Sequence, residues 1–170
     1  MTRGGHAGRV EVPTRAMVDA DWDDVRRIYA QGMATGVATF ETEVASPEKL
    51  DRTWHRDQRW VALVDGRVAG WTAAMPVSVR RCYSGVAETS LYVTTALRGR
   101  GVGRSLIRRQ TTEADAGGIW TLQTSIFVVN EASIALHISS GYRVVGTRER
   151  IAQRDGVWHD TVMLERRRVG

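Results

Sequence analysis

The hexapeptide RGRGVG at residues 98–103 carries the clearest chemical signal in this chain. Its glycines let successive backbone N–H groups turn toward one point, and it stands between a strand pattern and a helix pattern. The N-terminus of a helix bears about half a positive charge and binds anions. The arginines of the loop, with Arg104 just after it, supply charge that a pyrophosphate can use. We therefore predict a phosphate-binding loop here.

Two familiar phosphate loops do not fit this spacing. A P-loop ends in Gly-Lys-Ser/Thr, and the single lysine of the chain, Lys49, lies far upstream. A Rossmann fingerprint opens a parallel βαβ unit, whereas here the glycines are spaced differently and the preceding strands are predicted to be antiparallel. The pattern present is R-x-x-G-x-G. The alternative interpretation is an ordinary strand-to-helix turn that is rich in Gly and Arg and binds no phosphate.

The elements that position this loop follow from hydrophobic periodicity and turn residues. The predicted strands cover residues 10–17, 60–64, 68–75, 86–94, 119–129, 142–150 and 157–165. One helix begins after Asp19 or Asp21, a second begins at Ser46, and two more cover residues 102–116 and 131–140, whereas 34–42 is predicted to be a loop with a short extended piece. Hairpins precede and follow a strand–helix–strand–helix unit, so we predict an α/β fold with a mixed, largely antiparallel sheet.

The composition excludes several classes of protein. With 170 residues, 42% of them hydrophobic and 25% charged, the chain resembles one globular domain rather than a disordered or fibrous protein. It has no apolar run long enough to span a bilayer, so no membrane partner is expected. The single cysteine, Cys82, excludes a disulfide framework and a cysteine-rich metal site, and no metal is expected. Residues 1–9 lack the apolar stretch of a secretory signal, so we expect a cytoplasmic protein.

The net charge of +5 comes almost entirely from arginine and permits a polyanionic partner. Nucleic acid is one such partner. However, the basic residues are not interleaved with aromatic residues, and no DNA- or RNA-reading motif is present, so we expect no nucleic-acid partner. A phosphorylated cofactor at residues 98–103 is the other reading.

R-x-x-G-x-G between a strand and a helix resembles the acetyl-coenzyme A loop of the GNAT superfamily of N-acetyltransferases. The resemblance covers roughly residues 12–165 and is most specific for the phosphinothricin and methionine sulfoximine acetyltransferase subgroup. The segments that carry it are AETSLYV at 87–93, Asn130-x-x-Ser133-x-x-Leu136-His137, SGY at 140–142, GVWHD at 156–160, Thr39-Phe40-Glu41 and Arg80-x-x-Tyr83.

The resemblance implies a sheet split between the strand ending near Val93 and the strand beginning near Trp120, with acetyl-coenzyme A in the V-shaped opening. Backbone groups of Leu91 and Val93 would hold the acetyl and pantetheine units, the loop N–H groups would hold the pyrophosphate, and Asn130 would line the pantetheine arm. The residues it assigns to the coenzyme are Leu91, Tyr92, Val93, Arg98, Gly99, Arg100, Gly101, Val102, Gly103, Arg104, Ser105, Asn130 and Ser133.

Glu88 and His137 are the candidate catalytic residues. Direct acetylation of an amine requires a base near the ammonium, and Glu88 lies in an otherwise apolar strand just before the coenzyme-binding segment. The resembled family proposes this glutamate as the base. His137 stands where many GNAT enzymes carry a tyrosine that acts as the general acid for the coenzyme thiolate. An imidazole can likewise protonate a thiolate or relay a proton. Alternatively, Glu88 is a solvent-exposed carboxylate and His137 only packs against its neighbours.

The candidate acceptor residues are Phe40, Arg80, Tyr83 and His159. The guanidinium of Arg80 could bind the carboxylate of an amino acid, and Phe40 could contact its apolar side chain. The expected acceptor is therefore a small amino-acid-like molecule of the phosphinothricin and methionine sulfoximine class. A polyamine, another amine drug or a protein N-terminus is the alternative.

The resemblance also bears on organisation. We predict a flexible arm at residues 1–9, a single N-acetyltransferase domain at 10–165 and a basic tail at 166–170. The family implies a homodimer.

Overall fold

A computed structural model of the chain describes residues 11–168, so the predicted arm at 1–9 lies outside the described residues. The strands are β1 (Thr14–Ala16), β2 (Arg59–Val64), β3 (Arg67–Pro76), β4 (Val86–Val93), β5 (Thr121–Phe127), β6 (Arg143–Arg154) and β7 (Val157–Arg167). The α-helices are α1 (Trp22–Met33), α2 (Pro47–Thr53), α3 (Val102–Ala116) and α4 (Glu131–Ile138). Short 3₁₀ turns cover Asp19–Asp21, Arg81–Tyr83 and Thr95–Leu97.

All seven of these strands form one sheet in the order β1-β2-β3-β4-β5-β7-β6. Every neighbouring pair is antiparallel except β4 and β5, which run parallel. Helix α3 is the crossover that a parallel connection requires. The predicted mixed, mostly antiparallel α/β fold is therefore confirmed.

Helices cover both faces of the sheet because residues on each strand alternate between the two faces. On one face, Val25 and Ile28 of α1 and Leu50 of α2 pack against Val61 and Trp71. On the opposite face, α3 packs through side chains that include Leu106 against Trp60 and Ala62, which flank Val61 on β2. The helical spacing of the apolar residues in α1 and α3 thus matches the face that each helix buries.

Helix α2 begins as its sequence predicts. The hydroxyl of Ser46 accepts a hydrogen bond from the backbone N–H of Lys49 at 3.3 Å, and Pro47 occupies the first helical position. This cap fixes the start of α2 beside the loop that joins it to α1.

The C-terminal end of the domain differs from the prediction. Strand β7 continues to Arg167, so Arg166 and Arg167 belong to the sheet rather than to a tail that begins at residue 166. The guanidinium of Arg166 donates two hydrogen bonds to the carboxylate of Asp115, at 2.7 and 2.6 Å. Asp115 lies in the last turn of α3, so this long-range ion pair joins the end of β7 to that helix.

Candidate active site

The sheet opens between β4 and β5. These strands pair at only three positions, which join Val86, Ala87 and Glu88 to residues 121, 122 and 123. Beyond Glu88, β4 pairs with β3 alone, and β5 pairs with β7 alone. An opening therefore begins at Glu88 and lies beside the rest of β4, as the resemblance implied.

The free edge of β4 presents backbone groups to this opening. The N–H of Thr94, just after β4, donates to the carbonyl oxygen of Ala69 on β3 at 2.8 Å. This bond shows which residues of β4 direct their backbone groups toward β3. Because antiparallel residues alternate between facing the partner strand and facing away, Leu91 and Val93 direct their N–H and C=O groups away from β3. These donors and acceptors suit an extended amide chain such as pantetheine.

The loop before α3 forms an anion-binding helix N-terminus. Gly99 and Gly101 have φ angles of 75° and 88°, in the left-handed region that glycine tolerates. Gly101 is the residue at the start of α3, and the first helical hydrogen bond that we observe runs from the N–H of Ser105 to the carbonyl oxygen of Gly101 at 3.0 Å. The N–H groups of residues 102–104 thus precede the helical ladder and can bind an anion.

The side chains near this loop divide into two groups. Arg98, Arg100 and Arg104 are exposed and can add charge to a bound pyrophosphate. Val102 is buried in the core, and the hydroxyl of Ser105 accepts a hydrogen bond from the N–H of Val12 at 3.1 Å. The structure therefore directs the side chains of these last two predicted coenzyme residues away from the loop.

A cavity of about 360 Å³ lies on the opening, on the face of the sheet that α1 and α2 cover. It brings together seven residues that the sequence singled out, which are Phe40, Glu88, Leu91, Tyr92, Asn130, Ser133 and His137. Its lining also includes Glu41 of the Thr39-Phe40-Glu41 segment and residues to which the sequence assigned no role, among them Glu43, Lys49, Trp54, Trp71 and Met75. The cavity therefore joins the predicted coenzyme cleft to the predicted acceptor region.

Glu88 lines the cavity at the last position where β4 pairs with β5. Its side chain is half-buried, and its Oε2 accepts a hydrogen bond from the Nε2 of Gln123 at 3.3 Å. Met75 lies opposite Glu88 on β3. Tyr92 and Trp71 lie on this face of the sheet too, stacked with ring centroids 4.9 Å apart. A carboxylate in this position can accept a proton from an amine in the cavity.

His137 is buried in α4 and forms one edge of the cavity. Its Nδ1 lies 2.8 Å from the carbonyl oxygen of Ser133. Because a carbonyl can only accept, the neutral ring carries its proton on Nδ1, and Nε2 holds the lone pair. Burial lowers the pKa of His137, partly offset by the Ser133 carbonyl, so the neutral form is favoured at neutral pH.

The loop between α1 and α2 is fastened through three consecutive carbonyl groups. The carbonyl oxygen of Val37 accepts from Asn130 Nδ2 at 3.4 Å, that of Ala38 from the Tyr92 hydroxyl at 3.1 Å, and that of Thr39 from Arg154 Nη1 at 2.5 Å. Tyr92 and Asn130 were predicted to bind the coenzyme, whereas the β6 residue Arg154 was not singled out. This loop, which carries Phe40 and is called the acceptor loop below, is thus held by side chains from three separate parts of the chain.

Aromatic contacts place Phe40 at the end of this loop. Its ring lies 4.4 Å from that of Phe127 and 6.2 Å from the imidazole of His159, by centroid distance. His159 is half-buried and also packs edge-on against Phe127 at 5.0 Å. His159 therefore packs against Phe40 and Phe127, which line the cavity, although His159 does not line the cavity itself.

Arg80 and Tyr83 lie elsewhere. Both are exposed at the 3₁₀ turn before β4, and the guanidinium of Arg80 lies 5.6 Å from the centre of the Tyr83 ring. Neither residue lines the cavity. The arrangement does not bring these two predicted acceptor residues into contact with the site.

Comparisons with known proteins agree with this geometry. Residues 22–142 match the model of the acetyltransferase (GNAT) family. The chain belongs to this family. A GNAT superfamily phosphinothricin acetyltransferase from Sinorhizobium meliloti, solved in complex with acetyl-coenzyme A, superposes with a TM-score of 0.83 at 27% identity, covering 93% of this chain and 89% of that one. The expected family and its acetyltransferase activity are therefore confirmed.

Two sequence relatives of this GNAT chain have named acceptors. A phosphinothricin N-acetyltransferase of Streptomyces viridochromogenes is 30% identical over 162 residues, which cover 93% of this chain and 88% of that protein. An L-methionine sulfoximine/L-methionine sulfone acetyltransferase of Pseudomonas aeruginosa is 31% identical over 83 residues, which cover 49% of this chain and 48% of that protein.

Within residues 11–168, no cluster of three or more His, Cys, Asp or Glu side chains could hold a metal ion. No helix in this part of the chain is both long and apolar enough to cross a membrane.

Proposed function

We propose that this GNAT enzyme transfers the acetyl group of acetyl-coenzyme A directly to the α-amino group of a small amino-acid analogue of the phosphinothricin and methionine sulfoximine class. The observation that carries the proposal is the position of Glu88, which lines the acceptor cavity at the point where β4 and β5 separate. The named acceptors of the two relatives supply the substrate class.

The residues of the opening suit the coenzyme. Leu91 and Val93 would pair with its amide chain, Asn130 would lie beside it, and the N–H groups after Gly101 would hold its pyrophosphate. When bound, acetyl-coenzyme A supplies a thioester whose carbonyl carbon the amine attacks and whose sulfur leaves as a thiolate.

Glu88 acts as the general base in this proposal. The acceptor enters as an ammonium, and the carboxylate of Glu88 removes one proton so that the nitrogen lone pair becomes available. Gln123 holds one carboxylate oxygen from the side and leaves the other for the ammonium. General-base assistance of this kind typically contributes about 10²–10⁴-fold in rate.

His137 relays the second proton. Formation of the amide releases a further proton from nitrogen, and the departing thiolate requires one. The Nε2 of His137 holds a lone pair because Nδ1 faces the Ser133 carbonyl, so it can receive that proton. Since burial disfavours the imidazolium, the ring passes the proton on readily.

The test is acetylation by the purified chain, followed by thiol release with acetyl-coenzyme A. We expect turnover with phosphinothricin and methionine sulfoximine and little with spermidine, which lacks a carboxylate. Turnover confined to spermidine or to a peptide N-terminus would overturn the acceptor class while leaving the acetyltransferase intact.

We also propose that the enzyme is a homodimer in the cytoplasm, where acetyl-coenzyme A is available. Strand β6 ends the sheet and leaves one edge unpaired among the described residues. Large apolar side chains are exposed on β6 and β7, namely Val144, Val145, Ile151, Val157 and Trp158. A second copy would cover this surface. Light scattering should give twice the mass of the chain, and the double variant Val145→Glu, Trp158→Glu should give the monomer mass.

A further inference from the structure

We infer that Lys49 binds the carboxylate of the acceptor, and that the cavity favours α-amino acids with uncharged side chains over those with anionic side chains. This inference rests on the proposed function and adds to it a binding residue and a selectivity.

Lys49 is the only lysine of the chain, and it lines the same cavity as Glu88. Its backbone N–H donates to the cap of α2, which fixes the residue in the first turn of that helix. Within residues 11–168, no carboxylate lies within 4.0 Å of its ammonium group. The ammonium of Lys49 is therefore not held in an ion pair within the described part of the chain, and because the residue is exposed it can bind an incoming carboxylate.

Hydrogen bonds place helix α2 close to the part of β3 that pairs with Glu88. The hydroxyl of Thr53 donates to the carbonyl oxygen of Lys49 at 2.8 Å, so Thr53 lies one turn further along the same face of α2. The N–H of His55, just after α2, donates to the carbonyl oxygen of Ala74 at 2.9 Å. Ala74 precedes Met75, which lies opposite Glu88 in the sheet. Helix α2 is thus fastened to β3 beside the candidate base.

This arrangement suits a zwitterion. An α-amino acid carries its ammonium and carboxylate on one carbon atom, so a site that binds both needs an acid and a base facing one cavity. Glu88 and Lys49 provide that pair. Arg80, the cation that the sequence suggested for this role, does not line the cavity. Arg148 donates to the hydroxyl of Ser125, a lining residue, but does not line the cavity itself.

The remaining charges of the cavity oppose a second anionic group. Glu41 and Glu43 also line it, and neither forms an ion pair within the described part of the chain. Burial raises the pKa of the Tyr29 and Tyr92 phenols, and the charge of Glu41 adds to both shifts. Like charges repel across such a site, so an anionic side chain on the acceptor is disfavoured.

Apolar side chains form much of the remaining lining of the cavity. Trp54 and Trp71 pack with ring centroids 4.9 Å apart, and Met75 and Leu50 lie beside them in the lining. An uncharged acceptor side chain gains from burial against these groups. Methionine sulfone and methionine sulfoximine have such side chains, whereas phosphinothricin carries an anionic phosphinate.

The first experiment tests whether Lys49 recognises the carboxylate of the acceptor rather than its amine. We would compare methionine sulfone with 3-(methylsulfonyl)propylamine, the same molecule without its carboxylate. Because hydrogen bonds to charged groups contribute more than neutral ones, Lys49→Gln should raise KM for methionine sulfone by about tenfold or more. It should change KM for the amine less than about threefold, since that molecule has no carboxylate to lose. Lys49→Arg should recover most of the loss.

Arg52→Gln provides the matched control, because Arg52 is exposed on the same helix and does not line the cavity. It should leave both KM values unchanged. An unchanged KM in Lys49→Gln would overturn the assignment, as would a carboxylate-specific loss in Arg80→Ala or Arg148→Ala instead. If the wild-type enzyme acetylates no amino-acid analogue at all, the proposed function fails, and this inference fails with it.

The second experiment tests the selectivity. Wild-type enzyme should have a higher kcat/KM for methionine sulfone than for phosphinothricin. The double variant Glu41→Gln, Glu43→Gln should shift the ratio toward phosphinothricin by about threefold or more, because two negative charges have been removed. A wild-type preference for phosphinothricin, or an unmoved ratio in the double variant, would overturn the selectivity.

Discussion

Glu88 and Gln123 face each other at the last position where β4 and β5 pair, and the Nε2 of Gln123 donates to the carboxylate of Glu88 at 3.3 Å. This relationship places the candidate base at the start of the opening rather than along it. Strand register therefore fixes the base relative to the backbone groups of Leu91 and Val93 further along β4. In the proposed reaction, this one strand would therefore bring the amine and the thioester together.

The phosphate loop can be tested with two matched glycines. Gly101 and Gly118 both have positive φ angles, 88° and 79°, and a Cβ on either would meet no atom within 4 Å. Alanine at each site should cost roughly 1–2 kcal/mol because L residues are strained in the left-handed region. Only Gly101→Ala should lose the rise in Tm that acetyl-coenzyme A gives to the wild-type enzyme, since binding to the folded state stabilises it.

Thermal unfolding with and without the coenzyme measures this difference. Gly103 is a poorer test because a Cβ there would lie 3.0 Å from Leu136, so its replacement disturbs packing between α3 and α4. An equal coenzyme-induced shift in Gly101→Ala and Gly118→Ala would mean that the loop does not hold the pyrophosphate.

Arg154 should position the acceptor loop. Its side chain is only 11% exposed, and its two terminal nitrogens donate to the carbonyl oxygens of Thr39 and Met33 at 2.5 and 2.8 Å. Arg154→Met removes both bonds, so we expect KM for the acceptor to rise by about fivefold or more, as for other lost hydrogen bonds to a charged group. The affinity for acetyl-coenzyme A should stay the same.

Steady-state kinetics and calorimetric titration of the coenzyme separate these two effects. Arg154→Lys should recover part of the loss, and Arg67→Met, at an exposed arginine of β3, should change neither quantity. A proportional loss of coenzyme affinity in Arg154→Met would show a general structural role instead of positioning.

How far the sequence predicts this site depends on whether a signal is local. The signals that predict the loop at residues 98–103 and Glu88 are local, because each motif lies within one strand–loop–helix segment. No local signal indicates Lys49 or Arg154. Arg154 contacts residues more than a hundred positions away, and α2 reaches the cavity only because of how it packs against β3. The charge of Arg80 and its place in a family motif predict an acceptor residue, but the turn that carries Arg80 leaves it outside the cavity.

The ion pair between Asp115 and Arg166 should make stability depend on pH. The hydrogen bonds from Arg166 lower the pKa of Asp115, so the folded form binds its proton less tightly than the unfolded form. This contribution is present above the unfolded pKa, about 3.9, and is lost as the pH falls through the folded value. Asp115→Asn should therefore lower the free energy of unfolding by about 1 kcal/mol at pH 7, a value limited by partial exposure of the pair.

Urea unfolding at pH 7 and pH 3 checks this prediction, and the difference from wild type should shrink at the lower pH. Asp24→Asn breaks a more exposed pair with Arg27 within α1 and should cost less than about 0.5 kcal/mol. A loss for Asp115→Asn that does not change with pH would point to packing rather than charge.

The most direct measurement is kcat of Glu88→Gln, with the affinity for acetyl-coenzyme A measured on the same preparation. The amide keeps the shape of the side chain and cannot accept the proton, so we expect kcat to fall by at least about a hundredfold, the lower end of general-base contributions. Coenzyme affinity should change little, since the coenzyme groove uses the backbone of β4 and the loop before α3. A fall of only a few-fold would contradict the role of Glu88 as the base, and a parallel loss of coenzyme binding would show that its carboxylate supports the strand instead.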